Sequence, residues 1–301
     1  MTRAVLRTAS GPARHLPRVA LATCRELPGG DEDADLLLAA AGAVGLDTDW
    51  RVWDDPAVDW GSYDLVVNRS TWDYVPRRDD FAAWAASVPR LANPAEVVTW
   101  NIDKTYLREL AAAGLPVVPT RWLTPGEPLE WPSWPDLVVK PTVSAGSRDT
   151  ARYGPDEQDR AREHAGRLLD GGRAVMVQPY LAGVDTEGES TLVYVGGGFS
   201  HSVRKAAILE PGAAAETDEL WRPEKITERT ATAAEQELAE RILAAVPGGA
   251  GRLLYARVDL LPGPDGTPVL VEVELAEPSL FLSVVPGSAD RFAAAIRRSL
   301  P

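Results

Sequence analysis

Tyr255-Ala256-Arg257-Val258-Asp259-Leu260 and Val269-Leu270-Val271-Glu272-Val273-Glu274 are two apolar runs with charged residues set inside them. Charged and apolar positions alternate, which is the two-residue period of a β-strand. Arg257 and Asp259 therefore share one face of the first strand, and Glu272 and Glu274 share one face of the second. The turn signal Pro264-Asp265-Gly266 lies between them. If it sets the strands side by side, three carboxylates and a guanidinium converge. Carboxylates that close repel, and they raise one another's pKa unless a cation sits among them. Oxygen donors without histidine or cysteine suit magnesium or manganese rather than zinc. A solvated strand face with a single Arg–acid pair would give the same pattern.

Upstream, Asp136-Leu137-Val138-Val139-Lys140-Pro141 reads as a strand running into Thr142-Val143-Ser144-Ala145-Gly146-Ser147. Small residues let backbone N–H groups approach a phosphate, hydroxyls add donors, and a lysine at the strand end adds a point charge. The lysine precedes the loop instead of closing it, so this is not a Walker A motif. An ordinary surface loop looks similar when taken alone. Together with the downstream acids, it points to a site for a nucleotide and magnesium. Lysine is scarce: Lys104, Lys140, Lys205 and Lys225 stand against 27 arginines, so each one is a candidate for a specific task.

Strands alternate with helices over the first hundred residues, from a strand at 18–23 and a helix at 36–44 to strands at 48–53 and 63–67 and a helix at 79–88. That alternation predicts a parallel α/β unit. Residues 1–17 have no periodicity and read as a loose tail. Beyond residue 100 the pattern predicts helices at 102–113, 157–170, 230–246 and 288–299. Strands are expected at 136–141, 174–180, 253–261 and 269–275, and a hairpin at 189–204 turning on Gly196-Gly197.

With 45% apolar and 25% charged residues in 301, the composition is that of a globular protein and excludes a disordered or collagenous chain. The net charge of −13 disfavours phosphate backbones, so no nucleic-acid partner is expected. Cys24 is the single cysteine and cannot form an intramolecular disulfide. No apolar run is long enough to span a bilayer, and the arginine-bearing N-terminus does not read as a secretory signal. A cytoplasmic protein without a membrane partner is the expectation.

Several of these stretches, in order, resemble the ATP-grasp superfamily: Lys104, Val-Val-Lys140-Pro with its loop, Val-Gln178-Pro179-Tyr180-Leu181, Gly188-Glu189-Ser190, Arg257-Val258-Asp259-Leu260 and Leu270-Val271-Glu272-Val273-Glu274. Many members carry asparagine where this chain has Glu274. The resemblance implies an α/β ATP-grasp fold in three parts after the tail at 1–17. These are an N-terminal parallel α/β substrate domain (18–99), a small α+β lid (100–180) and a C-terminal mixed-sheet subdomain with the metal acids (181–301). ATP would lie between the last two.

By the same resemblance, Lys104 and Lys140 reach the α- and β-phosphates, while Ser144, Ala145, Gly146 and Ser147 form a flap over the β- and γ-phosphates. Gln178, Pro179, Tyr180 and Leu181 read the adenine. Glu189 holds the ribose, with Asp185 and Glu187 as rivals. Asp259, Glu272 and Glu274 bind two magnesium ions, for which manganese can substitute. Arg257 stabilises the acyl phosphate and the tetrahedral intermediate.

A narrower resemblance rests on Asn68-Arg69-Ser70-Thr71-Trp72-Asp73-Tyr74, His201-Ser202-Val203-Arg204-Lys205 and Glu277-Pro278-Ser279-Leu280-Phe281-Leu282. These are similar to the actinobacterial group that includes the O-ureido-D-serine cyclo-ligase of D-cycloserine biosynthesis. The loop of Arg69, Ser70 and Asp73 follows a strand end, where α/β sheets place ligands. His201, Arg204 and Ser279 join it as substrate candidates, Phe281 as a wall of the acceptor pocket, and Lys205 as a catalytic cation reaching the γ-phosphate. The implied activity is ATP-dependent ligation of a small carboxylate to an amine through an acyl phosphate, with self-association as a homodimer. A small-molecule kinase or a non-catalytic ATP sensor would use the same lysines and acids.

Overall fold

A computed structural model describes residues 15–210 and 225–300. Of the tail expected at 1–17, residues 1–14 lie outside the described residues. The chain opens with β1 (Arg18–Thr23), α1 (Ala34–Ala43), β2 (Asp47–Val52), β3 (Leu65–Ser70), α2 (Arg78–Ser87) and β4 (Leu91–Ala92). The four strands form a parallel sheet in the order β2-β1-β3-β4. Val19, Ala20, Leu21 and Ala22 are all fully buried, as expected of a parallel strand covered on both faces. One face carries Trp53, Phe81 and Trp84, whose rings meet edge-on or stacked at centroid distances of 5.2 to 5.9 Å. β3 continues three residues past the end expected at Val67, which buries Asn68, Arg69 and Ser70.

The helix expected at 102–113 is the shorter α4 (Tyr106–Ala112), and a separate helix that was not expected, α3 (Ala95–Asn101), precedes it. The break has a local cause. The Asp103 carboxylate accepts from the Thr105 N–H at 3.0 Å, which competes with helical hydrogen bonding and starts a new turn. Lys104 sits in the break, and its N–H donates to Thr142 O at 2.8 Å.

The central unit is β5 (Arg121–Leu123), β6 (Leu137–Pro141), β7 (Ala151–Tyr153), α5 (Gln158–Asp170) and β8 (Val175–Pro179), an antiparallel sheet in the order β5-β8-β6-β7. Ala161, Ala165 and Leu168 of α5 pack on Leu137, Val139 and Val177.

The rest comprises α6 (Gly183–Glu187), β9 (Glu189–Val195), β10 (Gly198–Lys205), β11 (Ile226–Arg229), α7 (Ala233–Ala245), β12 (Tyr255–Pro262), β13 (Pro268–Glu274) and α8 (Ser288–Ser299). The sheet β11-β10-β9-β12-β13 is antiparallel throughout, and its mixed character is confined to a parallel bridge between Val117 and Leu270 at its edge. Between β9 and β10 a short turn forces this, since strands joined by two residues can only run antiparallel. Gly196 (φ 59°) and Gly197 (φ 80°) supply the positive φ such a hairpin turn requires. α8 packs not on this sheet alone but on the first unit, where Phe292 and Ile296 join Leu21 and Leu37 in one core. Among the described residues, no helix is long and apolar enough to cross a membrane.

Candidate active site

β12 and β13 pair in a register that sets Arg257 opposite Glu274 and Asp259 opposite Glu272. An edge strand such as β13 leaves one row of backbone groups open, and here side chains close it. The Asn101 amide donates to Val273 O (2.8 Å) and accepts from the N–H groups of Leu275 (2.6 Å) and Ala276 (3.2 Å). The Tyr106 hydroxyl donates to Val273 O (2.8 Å) and accepts from Val273 N–H (3.0 Å). The strand that carries Glu272 and Glu274 is thus held by the helix pair on either side of Lys104.

Asp259 accepts from Arg257 Nη2 at 2.8 Å and from the Thr191 hydroxyl at 2.9 Å, with Lys205 Nζ at 3.3 Å. Burial by itself would raise its carboxyl, but Arg257 and Lys205 outweigh that and hold it down at about 2. Arg257 also pairs with Glu274, and Lys205 with Glu189. Burial, opposed by Arg257 and reinforced by Glu272 and Asp259, lifts Glu274 to about 7. Lys104 Nζ lies 2.9 Å from Glu272 Oε1 and donates to Ser144 O at 2.9 Å. Lys140 differs: among the described residues no acid pairs with it. Its burial, with Lys104 and Lys205 nearby, lowers it to about 8 despite Glu272 and Glu189.

These groups line one cavity of about 730 Å³ between the β5-β8-β6-β7 sheet and the C-terminal sheet. Lys104, Lys140, Lys205, Arg257 and the acids Asp259, Glu272, Glu274 and Glu189 all reach it. So do the loop 144–147, the segment 178–181, Ser279 and Phe281. In the loop, Gly146 (φ 61°) and Ser147 (φ 59°) both have positive φ. The Gln178 amide donates to Thr120 Oγ1 at 2.8 Å, and the Tyr180 ring stacks under the Arg152 guanidinium. Asp185, a ribose rival, is outside the cavity wall and accepts from the Tyr180 hydroxyl at 2.5 Å. Glu187 is outside it too.

The three acids of β12 and β13 do not gather round one point as their spacing suggests. Among the described residues no cluster of three or more acids, histidines or cysteines is arranged to hold a metal. Each carboxylate is drawn to a cation instead: Asp259 to Arg257 and Lys205, Glu274 to Arg257, and Glu272 to Lys104. The donor chemistry still fits magnesium, being oxygen-only. Glu274 is raised mainly by its burial, with Glu272 and Asp259 adding to the effect against Arg257.

Five substrate candidates do not line the cavity: Arg69, Ser70, Asp73, His201 and Arg204. Arg69 is wholly buried, pairing with Asp31 at 2.9 Å and donating to Pro278 O at 3.0 Å. The Ser70 and Thr23 hydroxyls bond one another at 2.8 Å. Asp73 accepts from Trp53 Nε1 and from Arg77, both at 2.7 Å. His201 is tied to Leu280 O and the Ser200 hydroxyl, and burial lowers its pKa despite the first of these bonds. Arg204 donates to Thr186 O at 2.6 Å. In each case the polar side chain bonds within the protein and joins segments.

Other wall residues had no assigned role, among them Asp31, Trp72, Tyr74, Asn101 and Glu277. Trp72, Tyr74 and Glu277 do fall within two of the three stretches behind the narrower resemblance. No periodic signal marks them, because they come from irregular segments.

The family described as the N-terminal domain of D-cycloserine synthetase DcsG matches residues 19–93. The cycloserine biosynthesis protein DcsG of Streptomyces lavendulae is 36% identical over 285 residues, covering 90% of this chain and 94% of that protein. The crystal structure of D-cycloserine synthetase DcsG superposes with a TM-score of 0.85 at 36% identity, over 94% of this chain and 100% of that one. D-alanine–D-alanine ligase from Bacillus anthracis, solved with ATP, superposes at 0.62 with 14% identity over 94% and 97% of the two chains, a likeness of fold.

Proposed function

This chain belongs to the D-cycloserine synthetase DcsG family of ATP-grasp enzymes and is an ATP-dependent ligase that forms C–N bonds; on that premise we propose that it activates a small amino-acid-like carboxylate as an acyl phosphate and closes it onto a nitrogen of the same molecule, as in the cyclisation of O-ureido-D-serine. The observation that carries this reading is the Lys140 ammonium, buried and unpaired by any described acid, in the same cavity as Arg257, Asp259 and Glu274. Keeping a lone ammonium out of water is costly, and a polyphosphate is the anion that relieves it.

In this reading Lys104 and Lys140 hold the α- and β-phosphates, and the 144–147 loop covers the β- and γ-phosphates. Residues 178–181 meet the adenine. Glu189 is preferred to Asp185 and Glu187 for the ribose because it reaches the cavity and they do not. Asp259, Glu272 and Glu274 would hold two magnesium ions, which when bound neutralise charge on the phosphates.

Lys205 meets the γ-phosphate as the substrate carboxylate attacks it. The lid excludes water from the acyl phosphate, whose hydrolysis would waste the ATP. Arg257 then stabilises the oxyanion as nitrogen adds to the carbonyl carbon. Ser279 and Phe281 wall the acceptor side. The functional division follows the sequence, with residues 18–99 for the substrate, 100–180 as lid and 181–301 for metal and chemistry.

The test is ADP release with magnesium across a panel of amino acids, O-ureido-D-serine and dipeptide-forming pairs. ADP release that depends on a carboxylate and comes with a C–N product mass is the expected result. A stable phosphorylated product would mark a kinase, and ATP binding without turnover on the whole panel would overturn the proposed substrate class.

A further inference from the structure

Most acids on the cavity wall are paired. Asp259, Glu274 and Glu272 face Arg257 and Lys104 as described, Glu189 faces Lys205, and Asp31 faces Arg69. Among the described residues Glu32 and Glu277 have no such cation, and Glu277 is the one on the segment whose Ser279 O meets Arg257. No lysine or arginine among the described residues pairs with Glu277, and the Tyr74 hydroxyl faces its carboxyl and favours the charged form. Tyr74 is 2% exposed and stacks on Phe81 at 4.8 Å between centroids, so the hydroxyl is held rigidly.

The backbone around Glu277 is irregular, yet three side chains from the end of β3 pin it. Asn68 donates to Ala276 O at 2.9 Å, Trp72 Nε1 to Glu277 O at 2.8 Å, and Arg69 to Pro278 O at 3.0 Å. Two residues further on, Ser279 O accepts from Arg257 Nη1 at 3.3 Å. The stretch 68–74 therefore clamps the wall segment that lies between Glu277 and the guanidinium. Fixing a short irregular segment with this many side-chain bonds is what a group needs if it is to meet a reacting atom at a set distance.

We propose that Glu277 is the base that takes the proton from the attacking nitrogen, and that Tyr74 is the residue that positions its carboxyl. This rests on the ligase function above. The nitrogen lone pair forms the C–N bond to the acyl carbon, the N–H proton passes to a Glu277 oxygen, and the N–H electron pair stays on nitrogen. Collapse of the tetrahedral carbon breaks the C–O bond to phosphate, which leaves with that pair and takes the proton from Glu277. The groups that face Glu277 are Tyr74, Glu272 and Glu274 of β13, and Lys104. Burial, reinforced by Glu274 and Glu272 and opposed by Lys104 and Tyr74, lifts its carboxyl to about 8 before nucleotide and metal bind.

The experiment runs ATP, magnesium and O-ureido-D-serine with and without hydroxylamine, a nucleophile that is neutral near neutrality and intercepts an acyl phosphate with little help from a base. In Glu277→Gln the ratio of cyclised product to ADP falls at least about 100-fold, and hydroxamate appears in its place. Glu277→Asp recovers part of that ratio. Tyr74→Phe lowers it about tenfold with the KM for ATP within about twofold of wild type. Misfolding as the cause of the loss in Glu277→Gln is excluded if Glu277→Asp and Tyr74→Phe shift the ratio in this way.

An unchanged ratio in all three variants overturns the proposal. So does equal loss of ADP and product with a raised KM for the carboxylate, which makes Glu277 a binding group. Absence of ADP with the wild-type enzyme overturns the function itself for that substrate, and the role of Glu277 with it.

Discussion

The Lys104 ammonium lies 2.9 Å from Glu272 Oε1 and 2.9 Å from Ser144 O, so a single side chain joins the last strand of the catalytic sheet to the lid loop. Lys104 can do this because the break between α3 and α4 puts it beside both. A cation held between two segments by a carboxylate and a carbonyl can be drawn away by phosphate, so nucleotide binding would alter both contacts.

Glu272→Gln tests the acid's part in metal use. We expect magnesium-dependent turnover to fall at least about 100-fold, with ATP binding in the absence of magnesium little affected. Steady-state rates across a magnesium titration measure it, and wild-type turnover would remove Glu272 from the metal site.

Lys140 predicts a pH dependence of nucleotide binding. Its free-state pKa is lowered to about 8, mainly by burial, and phosphate favours the charged form. Below pH 8 the ammonium is already present and binding takes up few protons. Above it, ATP must bring a proton with it, so affinity falls as pH rises. Calorimetry at a pH about one unit above 8, in buffers of different ionisation enthalpy, should show proton uptake on ATP binding. Lys140→Arg should abolish that uptake, since a guanidinium does not titrate there.

Gly188 is expected to be irreplaceable. Its φ of 74° and ψ of −176° belong to a region reached essentially by glycine alone. An added Cβ would also lie 2.6 Å from Lys205 O and 2.5 Å from Arg204 Nε. Gly188→Ala should cost about 1–3 kcal/mol in denaturant unfolding, and it should lower turnover by displacing Lys205 from Asp259 and Glu189.

His164 predicts an acid-sensitive lid. It is 1% exposed on α5, and neither ring nitrogen has a hydrogen-bond partner among the described residues. Burial, helped by Arg167 and Arg173, lowers it from 6.5 to about 4. The unfolded chain binds the proton first, so stability is full above pH 6.5 and is lost as pH falls towards 4. The loss amounts to about 3 kcal/mol for the lid at its full extent. Melting curves between pH 7 and pH 5 should show the decline, and His164→Leu should flatten it. An unchanged slope in that variant would assign the acid sensitivity elsewhere.

Arg257, Asp259, Glu272 and Glu274 could be read from the sequence because a strand's two-residue period ties each position to a face without reference to the rest of the chain. Lys140 and its loop were legible for a similar reason, as a strand end followed by residues with little side chain. The stretch 68–74 was legible as a strand end but not in its use. Asn68, Arg69 and Trp72 bond to carbonyls about 200 positions away, and a polar residue looks the same whether it faces a ligand or another segment.

The sequence by itself thus determined the alternation of elements, the hairpin of acids and the strand-end lysine, all of which follow from side-chain periods and turn chemistry within a dozen residues. Only the tertiary structure decided which cation each acid meets, that Lys104 stands in a break between helices, that α8 completes the core of the first sheet, and that Glu277 faces the cavity with no cationic partner among the described residues. Those outcomes depend on which distant backbone groups and charges burial leaves to be satisfied. That is set by packing the whole chain, because a buried polar group takes whichever partner the fold brings within about 3 Å.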